Sequence, residues 1–222
     1  MNAFVGKAHS VMYGLKVNFV VVSKSGVDNI DTIYCANYPN KPDGLTTEYE
    51  FWPKDTIGLS NSWATFKTIL TAMTAVHNTY PSISRNAYVS QFADYKGVTS
   101  RGYIRKYLIE NCETIFLVNY SADAFNLSNS LKTRLDSLGL KAKEIHKVGN
   151  VIILFTVHQD TDPKTHDIYS YFSVQGGQNH KFKDAYNNLM AVYDSVVNTS
   201  NDGLSFKGYA IFHHTDARQA RP

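Results

Sequence analysis

Cysteine is nearly absent from this chain: Cys35 and Cys112 are the only two in 222 residues. Two thiols are too few for a disulfide scaffold or a cysteine-built zinc site. Buried free thiols in a reducing compartment are the expectation. Charge is also scarce, at 18% of residues, and the net charge of +3 gives no electrostatic case for nucleic-acid binding. Long apolar runs are missing too. The most apolar stretch, Asn150–Val157, suits a buried strand and is too short for a membrane span. Met1–Lys7 lacks both the basic start and the continuous apolar core of a secretory signal, so the protein is expected to be made and kept inside a cell. Neither Gly-x-Ser-x-Gly nor Cys-x-x-Cys occurs, and no linker, internal repeat or low-complexity run interrupts the chain.

What the chain has in excess is tyrosine, with 15 residues. Tyrosine supplies rigid contact area with one polar tip and is favoured at interfaces. It also favours strands, so a β-rich fold accounts for the excess equally well. A surface low in charge and rich in Asn, Ser, Thr and Tyr repels other copies weakly.

The patterning reads as one α+β domain whose neighbouring strands form antiparallel hairpins, with helices between them and a protruding N-terminal helix. Residues 1–14 carry that helix, whose Phe4, Ala8, Val11 and Met12 recur at helical spacing. Phe4, Val11 and Met12 are candidates for burial against another subunit. Residues 15–215 form the core and 216–222 a tail, with Arg218 and Arg221 as further assembly candidates. Leu15–Val22 is a strand closed by Ser23–Gly26, with Asp31–Tyr38 as its hairpin partner. Pro39–Gly44 is a loop, and Glu48–Trp52 a short strand. Ser60–Ser62 starts a helix with Trp63, Phe66, Ile69, Leu70, Met73 and Val76 on one face. Asn86–Phe92 is a strand within a polar stretch, and Gly102–Cys112 a short helix. Thr114–Val118 is a strand, and the next helix carries Leu127, Leu131, Leu135 and Leu138, with Gly139 as its stop. Lys141–His146 then pairs antiparallel with Asn150–Val157 through a turn at Gly149-Asn150. Asp167–Val174 is a strand, Phe182–Val196 a helix, and Phe206–His213 the final strand.

Candidate chemistry is thin. His158, Asp160, Asp162 and His166 have metal-ligand chemistry, but they lie in a turn closed by Pro163 and lack the calcium-loop glycine and glutamate. No metal or cofactor is expected. Gly176-Gly177 before a helix is placed for a helix entry, without the lysine of a phosphate loop. His213-His214-Thr215 ends a strand as half of a two-histidine phosphoesterase signature. Such enzymes need a second motif of this kind, which His158-Gln159-Asp160 does not supply; a small phosphodiesterase or nucleotide-binding enzyme using His158 and His213 is the rival reading.

Two short segments, Thr65-Phe66-Lys67 and the Gly-x-x-His-x-x-x-Asp of Gly177, His180 and Asp184, resemble segments of the polyhedrins of cypoviruses. That resemblance implies a β-sandwich flanked by helices and trimers tied together by the N-terminal helix. It also implies a crystalline occlusion body in the host cytoplasm that encases virus particles and dissolves at alkaline pH. Nucleotides trapped between subunits are a further implication. It carries over no catalytic residue, no cofactor and no membrane.

Overall fold

The computed structural model describes residues 1–11, 16–51, 56–90, 102–119, 129–156 and 203–212, with 183, 184, 186–188, 190 and 191. The chain divides into two compact units, Met1–Ile115 and Phe116–Pro222.

The first unit opens with α1 (Asn2–Val11), followed by β1 (Asn18–Val21) and α2 (Lys24–Asn29). A π-helical turn (Ile30–Cys35) leads to β2 (Gly44–Thr47). Then come α3 (Thr56–Thr79), β3 (Ser84–Val89) and α4 (Tyr103–Asn111). β1, β2 and β3 are parallel neighbours, with Asn18, Gly44 and Ser84 aligned at their starts. Parallel neighbours need a crossover between them, and such crossovers are right-handed. Two in succession place α2 and α3 on one face of the strands, and the two helices pack together.

α3 buries the expected face, Trp63, Phe66, Ile69, Leu70, Met73 and Val76, and starts four residues before Ser60. Trp63 and Phe66 stack at 5.4 Å, and Phe51 closes on both at 5.0 and 4.4 Å. α4 buries Ile104, Leu108 and Ile109. Arg85 on β3 is tied to Glu113: its Nε donates to both carboxylate oxygens at 3.1 Å, and its backbone N–H donates to Oε2 at 2.6 Å.

In the second unit, which begins within β4 (Thr114–Asn119), α5 (Asn129–Glu144) buries Leu131, Leu135, Leu138 and Ala142. β5 (Gly149–Thr156) and β6 (Leu204–Phe212) pair in parallel. The register shifts between Val151 and Ile153, where Gly208 on β6 takes φ +107°. The extra residue of such a bulge needs the backbone freedom of glycine. Lys183, Asp184 and Tyr186 are helical.

The antiparallel sandwich is therefore corrected. Strands alternate with helices in an α/β arrangement, and every pairing with a described register is parallel. Three local readings misled. Ser23 does not close a hairpin but caps α2, its Oγ accepting from Gly26 N–H at 3.1 Å. Asp31–Tyr38 holds the π-helical turn rather than a strand, and buries Tyr34 and Cys35. Lys141–Glu144 lies in α5, and Gly149-Asn150 opens β5 instead of turning the chain. Nor does α1 protrude. Val5 and Ala8 are buried, the Asn2 side chain accepts from Asn40 N–H at 3.3 Å, and His9 Nε2 meets Asp43 Oδ2 at 2.8 Å. Glu48–Phe51 carries no strand, and β3 ends at Val89. Leu127 and Asp167–Val174 lie outside the described residues.

Candidate functional site

A cavity of about 700 Å³ opens on the first unit between α2 with its π-helical turn and α3. Lys24, Asp28 and Asp31 form one wall, and their spacing of four and three residues sets them on one face of a helical segment. The other wall is Ala64, Lys67, Thr68, Thr71, Ala72, Ala75 and Val76 of α3, and Tyr107 of α4 completes the lining. Small side chains on α3 make the room. The widened turn, in which Ala36 N–H reaches back to Asp31 O at 3.0 Å, carries Asp31. Such turns recur at functional sites.

Lys24 and Asp28 neutralise each other at 2.6 Å. Thr68 and Thr71 turn their hydroxyls to carbonyls of their own helix, Ala64 O at 3.0 Å and Lys67 O at 2.9 Å. Burial pushes the Tyr107 phenol above its ordinary pKa, and Tyr103 and Cys112 nearby add to this, against a hydrogen bond with Thr71. Tyr107 is thus a neutral hydroxyl at physiological pH. The groove offers ionic and hydrogen-bond recognition. Its lining has neither histidine nor cysteine to act as base or nucleophile.

A second polar cluster sits where β1, β2 and β3 begin. Asp43 accepts from Val17 N–H and His9 at 2.8 Å and from Lys16 at 3.1 Å. Burial alone would raise its carboxyl, but these three donors outweigh it and hold the pKa below the ordinary value. Asn86 Nδ2 donates to Asn18 Oδ1 at 3.0 Å and to Ser84 Oγ at 3.1 Å, over Gly44. A Cβ on Gly44 would stand 2.2 Å from Asn18 Oδ1 and 2.3 Å from Ser84 Oγ. This cluster fastens strand starts together.

Among the residues singled out by sequence, Lys67 lines the groove, Phe66 is in the core and Thr65 is exposed. Phe4 is 62% exposed on α1, and Val11 ends that helix. Asp184 is helical and exposed. Met12, His158, Asp160, Asp162, His166, Gly177, His180, His213, Thr215, Arg218 and Arg221 lie outside the described residues. Among the described residues no group of three or more His, Cys, Asp or Glu could hold a metal ion, and no helix is long and apolar enough to cross a membrane. Sequence reading missed Lys24, Asp28, Asp31 and Tyr107, since the segment carrying the first three was taken for a hairpin. No protein-family model matches the chain, and no curated protein compared with it matches either.

Proposed function

We propose that the chain is a self-assembling structural protein. The observation that carries this reading is β1. It occupies the end position of the strand order, and among the described residues it pairs only with β2. Val20 is 55% exposed there and Val22, just beyond, 59%. An edge strand with free backbone groups and apolar side chains is a template for another chain unless charge blunts it. Charge here is confined to the flanks, Lys16 and Lys24. Phe4 on α1 and Ile33 on the π-helical turn (61% exposed) add apolar surface to the same unit. The low charge of the whole chain lets copies approach.

The reading is kept to self-assembly. An occlusion body around virus particles, with trimers and trapped nucleotides, depends on the resemblance to polyhedrins, whose implied β-sandwich is not this fold. Sedimentation velocity over a range of concentrations tests the proposal. The intact chain should form oligomers whose size grows with concentration, and Val20→Lys should shift it toward monomer without loss of helical circular dichroism. A monomer at every concentration, or a Val20→Lys variant that assembles as readily as the parent, would overturn it.

A further inference from the structure

The groove between α2 and α3 carries two charges that are left unmatched among the described residues. Asp31 and Lys67 are both half-buried on opposite walls. Among the described residues neither side chain has a hydrogen-bond or ion-pair partner, and they do not pair with each other, whereas Lys24 and Asp28 beside them do. A partly desolvated carboxylate and ammonium held apart in a concave site favour a ligand that brings the opposite charges.

We propose that this groove binds a small zwitterionic ligand of the short-peptide class, its ammonium on Asp31 and its carboxylate on Lys67. Two observations favour the class. The carboxylate and the ammonium belong to different walls and do not pair with each other, so a ligand that meets both brings both charges itself. The volume of about 700 Å³ lies in the range of sites that enclose small molecules rather than single ions. Tyr107, neutral and hydrogen-bonded to Thr71, adds an uncharged polar group to the lining. The Lys24–Asp28 pair adds no net charge to that wall, so a purely anionic or purely cationic ligand satisfies only one of the two free groups.

Isothermal titration of the full chain with L-alanyl-L-alanine, and with the same dipeptide acetylated and amidated at its ends, tests this. The zwitterion should bind saturably, and the capped dipeptide at least about tenfold more weakly, a factor worth about 1.4 kcal/mol. Asp31→Asn and Lys67→Met should each weaken the zwitterion by a similar factor and leave the response to the capped form unchanged. No saturable binding up to roughly 10 mM, a concentration weaker than any useful affinity, would overturn the proposal. So would equal binding of both dipeptides, or binding indifferent to both substitutions. The capped dipeptide is compared on the intact chain, so its outcome does not depend on whether the variants fold. Self-assembly through β1 stands or falls separately.

Discussion

At the scale of single residues, two carboxylates each fasten several segments of the first unit, and both act through backbone as well as side chains. Glu113 takes the guanidinium and the backbone N–H of Arg85, so β3 is held to the residue before β4. Asp43 takes Val17 N–H, His9 and Lys16, and its carbonyl accepts from Ser84 N–H at 2.9 Å and Ser84 Oγ at 3.0 Å. Burial would raise both carboxyls, but the donors around them lower both. A carboxylate with a lowered folded pKa stabilises the fold above its unfolded value, about 3.9 for Asp, and that support is lost as pH falls through the folded value. Asp43→Asn should therefore cost about 1–2 kcal/mol at neutral pH, where charge-assisted hydrogen bonds are lost. The difference from the parent should shrink as pH falls below roughly 4. Urea unfolding of both proteins across that range gives the comparison. A gap independent of pH would show that the charge of Asp43 contributes nothing.

At the scale of elements, the end of α5 shows how a local signal can be right in kind and wrong in place. Gly139 has the residue type of a helix stop, yet it lies inside α5. The glycine that close approach requires is Gly203, where a Cβ would stand 2.2 Å from Gly139 O. The helix closes instead at His146, which takes φ +53°. His146 N–H donates to Lys143 O at 3.1 Å and Lys147 N–H to Ala142 O at 2.9 Å, the paired bonds of a Schellman closure. A left-handed position strains any residue with a Cβ, and glycine relieves it. His146→Gly should raise stability by about 0.5–1 kcal/mol in denaturant melts, since the side chain is exposed and glycine relieves the left-handed backbone. A loss of stability would mean that the histidine has a contact that matters more than its backbone. The same contrast separates what was legible from what was not. α3 and α4 could be read because their apolar residues follow the helical period over two or more turns. β4, β5 and β6 could be read as strands from dense β-branched and aromatic runs. Their pairing could not. An uninterrupted run such as Val151–Phe155 is what a parallel strand covered on both faces looks like, but Gly149-Asn150 also has hairpin chemistry, and the turn reading prevailed. α2 and its π-helical turn are too short to show a period, and the groove's Asp28 and Asp31 were lost with them. Lys67 came to notice only through the polyhedrin resemblance.

At the scale of the whole molecule, the tyrosine excess sets an alkaline limit for the fold, and the same limit is expected for the proposed assembly. The 6 arginines stay charged at any accessible pH, while the lysines lose their charge near about 10.4 and tyrosines gain one near about 10. Above both, 6 arginines against 19 carboxylates and 15 phenolates leave a limiting charge of −28, where neutral pH has +3. Within the folded chain, desolvation raises Tyr34, Tyr107 and Tyr186, and burial pushes the Cys112 thiol up to about 12. Acids with raised folded pKa values support the fold fully below their unfolded values, about 8.5 for a thiol and about 10 for a phenol. That support fades as pH climbs toward the raised values, and contact between copies would raise further phenols by the same desolvation. Assembled material should therefore persist at neutral pH and disperse abruptly above about pH 10, because each ionised phenol adds a charge that favours the next separation. Turbidity followed against pH, with phenolate absorbance read on the same sample, should show clearing and ionisation together. Clearing at mildly acidic pH, or turbidity that survives complete phenolate formation, would rule tyrosine out as the group that sets the limit.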